Sequence, residues 1–414
     1  MGHHLPMAQS RTSKESNPKV RVSDLKGFKH FRRILPFLDR LHDTYKHSNR
    51  VLHYDQFICL VLFYFFNPVL TSLRGLKSAA DLKKVQKTLG VKATSRTCLS
   101  EASHLFDASL LEPILTELSG QAAPLETDPD LRMIEQEILA VDGSLLPALP
   151  KMLWALWIDD QHRAAKVHLS LSVLKQVPTQ AAITDGNANE KKVLREFLSQ
   201  GCLYLIDAGY SEYRLFHEII KAGSSFVGRL PDNAVWEPIE ERRLTSQAIA
   251  AGVKRDMVVR LGSAATRGNC PAPLRVVEVE SFDIPTPGRP GDAGKRPHSD
   301  KPTPRRFLLV TDRLDLPVEI VALLYIKRWQ VELFFRWFKC VLSCKHLIAN
   351  SLNGLTIQVY CALIASILIT LWTGKKPSKR TFEMICFYLA GWADEDELFN
   401  HIDKLKDQEP VEPK

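Results

Sequence analysis

Two short apolar segments of the sequence end in carboxylates, and a third carboxylate lies in an aromatic, basic segment further on. Glu137-Ile-Leu-Ala-Val runs into Asp142, and Cys202-Leu-Tyr-Leu-Ile runs into Asp207. Acids at the ends of neighbouring strands can meet at one rim of a sheet, although Asp also serves turns for purely local reasons. Between Tyr325 and Lys339, the residues Tyr325, Arg328, Glu332 and Lys339 stand at offsets 0, 3, 7 and 14. At about 100° per residue they fall near 0°, 300°, 340° and 320°, one stripe of a helix. Tyrosine, arginine and lysine all suit phosphate oxygens, arginine bidentately. An acid amid three phosphate-compatible groups marks a candidate functional face. The bland alternative is an ordinary exposed i, i+4 pair of Arg328 with Glu332.

The pattern around these residues says what must hold them. Leu324, Val331, Phe335 and Phe338 form an apolar stripe beside the polar one, so a helix from Pro317 to about Leu347 is expected to lie on a core. Strands are expected at 137–142, 164–174, 202–206 and 307–312, with a helix from Asn189 to Ser199. In 164–174, Val167, Leu169, Leu171 and Val173 alternate with Lys166, His168, Ser170 and Ser172. This gives an α/β fold with a helical region before it. The expected organisation is a disordered basic tail over 1–20, a helical region over 21–120, a linker over 121–134, an α/β domain over 135–229, a β-rich insertion with a Pro/Gly-rich loop over 230–306, the second part of the α/β domain over 307–392, and an acidic tail over 393–414.

The 414 residues are 45% hydrophobic and 25% charged, which excludes disorder as the whole answer. The formal charge of +8 is uneven: residues 1–100 hold 18 basic and 6 acidic side chains, leaving the remainder slightly acidic. A basic N-terminal quarter is the footprint of a nucleic-acid binder, or else a solvated charged face. Eight scattered cysteines show no disulfide framework or C-x-x-C pair, which fits a reducing cytoplasm. The N-terminus lacks the apolar run of a signal peptide. The apolar runs 57–66 and 359–372 are shorter than the roughly 18–20 residues that cross a bilayer, so they are expected to be core helices.

The spacing Y-x2-R-x3-E-x6-K, met without a gap by Tyr325, Arg328, Glu332 and Lys339, resembles the DDE transposases of bacterial insertion sequences, specifically insertion-sequence family four. Two more blocks carry the resemblance: Val141-Asp142-Gly143-Ser144, and Leu205-Ile206-Asp207-Ala208-Gly209-Tyr210 followed by Phe226-Val227-Gly228-Arg229. Ser144 stands where the family often has Thr, and Ala208 is a second conservative departure. The likeness covers about residues 135–350. It implies a ribonuclease-H-like catalytic domain interrupted by a strand-rich insertion and preceded by an all-α domain.

The resemblance further implies that Asp142, Asp207 and Glu332 form a carboxylate cage for two Mg2+ or Mn2+ ions, the arrangement suited to in-line displacement at phosphorus. Tyr325, Arg328 and Lys339 would then contact DNA near the cleaved end, with Trp236 as the base-stacking aromatic of the insertion and Lys166, His168 and Arg229 as further DNA contacts. The implied partners are double-stranded DNA, as terminal inverted repeats and as target, and a second copy of the chain in a homodimeric synapse. A hairpin end is implied too. No membrane is involved, and the expected location is the cytoplasm, at the nucleoid. The rival readings are an endonuclease of the same fold that does not join strands, and a non-catalytic, domesticated DNA-binding protein.

Overall fold

The computed structural model describes residues 32–45, 50–67, 69–157, 159–281, 305–341 and 347–406. The tail over 1–20 and almost all of the Pro/Gly-rich loop lie outside them. Up to residue 132 the described chain is helical: α1 (Leu35–Thr44), α2 (Tyr54–Phe66), α3 (Leu73–Ala80), α4 (Lys83–Leu89), α5 (Arg96–Leu105), α6 (Glu112–Gly120) and the single turn α7 (Pro129–Arg132). Ser72 and Ser95 cap α3 and α5 by accepting from the amides of Gly75 and Cys98. In α2 only Phe63 of 13 residues escapes full burial, so this helix has no solvent face and must be enclosed.

Ten strands follow in one sheet: β1 (Glu137–Pro147), β2 (Leu156–Trp157), β3 (Asp159–Ser172), β4 (Val177–Asp185), β5 (Cys202–Ile206), β6 (Ser225–Leu230), β7 (Trp236–Glu241), β8 (Val253–Leu261), β9 (Leu274–Ser281) and β10 (Arg305–Thr311). β1 lies antiparallel to β3 and parallel to β5, and β5 is parallel to β6. β4 pairs antiparallel with the far side of β3. Beyond β6 the order continues β10-β9-β8-β7, all antiparallel, so the strands of the 230–306 segment extend the same sheet.

The period of two assigns the faces. Ile138 and Ala140 of β1, Leu203 and Leu205 of β5 and Val227 of β6 join a core with α11 (Val318–Lys327), α12 (Trp329–Val341), α13 (Leu352–Thr373) and the N-terminal helices. Leu139, Val141, Tyr204, Ile206 and Phe226 point the other way, toward α8 (Glu190–Phe197) and α9 (Tyr213–Lys221). α10 (Ser246–Ala250) packs beside β8. The chain closes with α14 (Lys379–Ala390) and α15 (Glu395–Lys406).

Two expectations need correction. The helix expected over 317–347 is two helices meeting at Arg328. The expected linker is docked: the amides of Leu125 and Glu126 both donate to the Leu174 carbonyl, and the Glu126 carboxylate pairs with Lys327 at 2.8 Å. The acidic stretch from Asp394 onward, read from the sequence as helix-like and peripheral, forms α15, seated on α14 through buried Leu398 and Ile402. The apolar run at 359–372 is the core helix expected: it belongs to α13, whose 22 residues are long and apolar enough to cross a membrane, but whose most apolar stretch is 89% buried inside the protein.

Candidate active site

Asp142 continues the series Ile138, Ala140 along β1, Asp207 continues Leu203, Leu205 beyond β5, and Arg229 follows Val227 on β6. All three therefore face α11 and α12: Asp207 just past the end of β5, Arg229 near the end of β6, and Asp142 midway along β1, which runs on to Pro147 beyond the end expected at 142, just past its pairing with β5. Asp142 accepts from the Gly143 amide at 2.8 Å, and Asp207 accepts from the Gly209 amide at 2.8 Å, starting a single 3-10 turn. Strand pairing brings these carboxylates side by side.

The helical half of the site is made by the break at Arg328. Its amide reaches the Tyr325 carbonyl at 3.2 Å, a three-residue step, before α12 resumes. The side chain lies inward and is 4% exposed. Nη2 donates to Glu332 Oε1 at 2.6 Å, and the guanidinium carbon lies 5.7 Å from the Tyr325 ring centre. Its Nε and Nη1 are buried and have no hydrogen-bond partner among the described residues. The Nε of Arg229 is in the same condition, with its guanidinium 4.7 Å from the Phe307 ring centre. Buried donors left unpaired are costly, so these arginines are set to receive an anion.

The electrostatics agree with a crowded acid cluster. Burial first, and then the Asp207 carboxylate, push the Asp142 pKa up to about 7, with Arg328 and the Gly143 amide opposing and Glu332 adding. Burial also raises Glu332, against Arg328 and with Asp207. Tyr325, raised by burial, feels Arg328, Arg229 and Asp207. An all-oxygen donor set short of positive charge fits a hard divalent cation. Among the described residues no three His, Cys, Asp or Glu side chains close around one point, and Glu332 is turned onto Arg328.

Asp142, Asp207, Glu332, Tyr325, Arg328 and Arg229 thus come together. Lys339 is half-buried on α12, about 10 Å along the axis from Glu332. Lys166 and His168 do not join them. They sit opposite Leu145 and Gly143 of β1, on the face toward α8. Lys166 lies 3.2 Å from Glu190, and His168, 1% exposed, bonds Thr184 at 2.9 Å. Trp236 begins β7, five strand positions from β5 and about 24 Å across the sheet at 4.8 Å each. It packs half-buried on the α8 and α9 side. Its ring is a packed aromatic, remote from the carboxylates.

Two neighbours were not singled out from the sequence. Tyr210 is 1% exposed and feels Asp142, Asp207 and Arg328; nothing in its spacing marks it. Arg336, whose charge acts on Glu332, had a signal: counted from Tyr325 it falls near 20°, within the polar stripe.

Residues 134–368, more than half of the chain, match the family described as Transposase DDE domain. The chain belongs to the DDE transposase family. Relatives named as transposases include y4zB of Sinorhizobium fredii, 30% identical over 231 residues, 55% of this chain and 59% of that one. A chain of Geobacillus stearothermophilus named for insertion sequence element IS5377 is 24% identical over 280 residues, 67% of this chain and 66% of its own. A Synechocystis chain named for insertion sequence element IS4SA is 21% identical over 334 residues, 78% of this chain and 86% of its own. The alignments with the first two span less than two thirds of those relatives. The solved synaptic complex of piggyBac transposase with hairpin DNA is similar over 95% of this chain at 10% identity and a TM-score of 0.39, too loose to bear on roles. DDE transposase domains depend, in general, on divalent metal ions.

Proposed function

We propose that this DDE transposase is encoded by an insertion sequence, binds the terminal inverted repeats of its element as double-stranded DNA, cuts there and joins the freed 3′ hydroxyl to target DNA, working as a homodimer in the synapse. The observation that carries the reading is Arg328: a buried guanidinium with two unpaired nitrogens, touching Glu332 and facing Asp142 and Asp207. Unmet guanidinium donors beside an acid cluster would suit a phosphodiester together with a hard divalent cation. The order β4-β3-β1-β5-β6, with β3 alone reversed, supports the ribonuclease-H-like reading of the catalytic part.

Asp142, Asp207 and Glu332 would hold two Mg2+ or Mn2+ ions, which when bound activate the attacking oxygen and stabilise the leaving oxygen of an in-line displacement. Arg328 grips the non-bridging oxygens of the scissile phosphate through the nitrogens that Glu332 leaves open. Arg229 and the Tyr325 hydroxyl orient the same phosphate from the strand side and the helix side. Lys339 meets the backbone further along α12. The basic N-terminal helices serve as the end-recognition module.

The test is to incubate the full chain with its element's ends and Mg2+, comparing wild type with Asp142→Ala and Glu332→Ala. All three are expected to bind the ends, and wild type alone to cleave them and join them to a target plasmid. Cleavage surviving in either variant would overturn the assignment of the carboxylates, and cleavage without joining would make the protein a nuclease.

A further inference from the structure

The turn between α13 and α14 reads Gly374-Lys375-Lys376-Pro377-Ser378-Lys379-Arg380, four cations within six residues. Its backbone is held at both ends. Gly374 closes α13 in the left-handed region at φ 66°, where a side chain would be strained, and its amide bonds the Thr370 carbonyl at 2.8 Å. The Lys375 amide donates to the Thr373 hydroxyl at 3.3 Å, and Ser378 accepts from the Thr381 amide at 3.1 Å. The cations are thus presented from a fixed frame. Lys379 stands 3.7 Å from Glu383, yet its side chain is 75% exposed, and Arg380 is exposed as well.

This turn is tied to the carboxylate site through α12. α14 packs on α12, and Arg336, one turn beyond Glu332, is exposed. Its charge acts on Glu332 in one direction and on Lys376 in the other. Lys376 is half-buried; burial and then Arg336 both lower its pKa, and no acid among the described residues offsets them. Two cations brought together at a partly dehydrated point are unfavourable unless an anion lies between them.

We propose that Arg336, Lys375, Lys376, Lys379 and Arg380 form a phosphate track that carries the DNA backbone from the carboxylates along α12 and over the α13–α14 turn, without reading sequence. The proposal rests on the reading of the site as a DNA-cleaving one. Continuity with that site favours a nucleic-acid backbone over an acidic protein as the occupant.

The experiment measures binding of the full chain to a duplex of arbitrary sequence across a salt series. Each phosphate contact contributes about −0.9 to the slope of log affinity on log salt, so removing all four turn cations with Lys375→Ala, Lys376→Ala, Lys379→Ala and Arg380→Ala should make the slope about 2–3 units less negative and weaken binding by roughly 100–1,000-fold at ~0.1 M salt. Arg214→Ala with Lys221→Ala, on α9 across the sheet, should change neither. Lys376→Met decides the matter if the fourfold variant does not fold. It should weaken duplex binding about 3–10-fold while raising the melting temperature of the DNA-free protein, since it removes a partly dehydrated charge repelled by Arg336. A lysine with a merely structural role would lower the melting temperature. A wild-type slope in a folded fourfold variant that still cleaves transposon ends overturns the track alone. A wild-type chain that binds no duplex at any salt overturns the DNA reading and the track with it.

Discussion

Asp142 and His168 lie on adjacent strands, one residue apart in register, and titrate in opposite senses. The folded chain holds a proton on Asp142 up to about pH 7, well above the ordinary carboxylate value of 3.8, because of burial and then Asp207. Between those values the native state binds more protons than the unfolded chain, so stability falls as pH rises. Asp142→Asn is therefore expected to raise the melting temperature of metal-free protein near pH 8, with the gain vanishing toward pH 4, while abolishing cleavage; thermal unfolding in chelator across that range checks it, and a pH-independent difference would refute it. His168 behaves conversely. Burial, and then Lys166, bring it from 6.5 down to about 4, so stability is lost as pH falls through that window. Wild type should lose on the order of 3 kcal/mol there by this route, and His168→Gln should flatten the loss in denaturant titrations. The two carboxylates were legible in the sequence as ends of apolar strands. The misplacement of Lys166 and His168 has a plain cause: alternation separates two faces without saying which one carries the acids.

At the level of elements, a strand ending in Asp proved ambiguous until pairing was known. Phe307-Leu-Leu-Val-Thr-Asp312 has the same form as the Asp142 and Asp207 segments, yet β10 runs antiparallel to β6, so Asp312 arrives at the opposite end of the sheet and accepts from the Phe226 amide at 2.8 Å. The break at Arg328 was equally hidden, since neither Gly nor Pro marks it, and it is what turns the arginine inward. Core helices were easier, because an apolar run without a polar face has only one place to go. The start of α13 shows how such a helix is fixed in place. Asn353 donates to the carbonyls of Ser103 and Phe106 at 2.9 and 2.7 Å and accepts from the Ala108 amide at 3.1 Å, stapling α13 to the end of α5. Asn353→Ala leaves three backbone groups without that partner and is expected to cost about 2 kcal/mol of stability. Urea unfolding measures it, and a change under about 0.5 kcal/mol, the level of a surface substitution, would show that water replaces the amide.

On the scale of the whole molecule, the charge surplus and the packing make different divisions of the chain. Basic residues are concentrated in the first hundred, which reads as a separate binding module, but one apolar core runs without interruption from Ile34 through the sheet to Ile402. α13 is its axis: 17 of its 22 residues are buried, packed by α2, α5, α6 and β4. Deleting residues 1–120 would bare that helix to water, so the fragment 121–414 is expected to lose cooperative unfolding and to bind hydrophobic dyes; a monomeric fragment with a sharp thermal transition would show that the helices are dispensable to the fold. Loss of DNA binding on such a deletion would therefore say nothing about recognition. Charge removal can separate the two roles, because Lys83, Lys84 and Lys87 on α4 are exposed. Changing these three to Gln should keep the melting temperature within a degree or so while weakening binding to transposon ends by roughly 50–500-fold at ~0.1 M salt, the expected effect of losing two or three phosphate contacts. Unchanged end binding in a folded variant would move recognition to another part of the helical region.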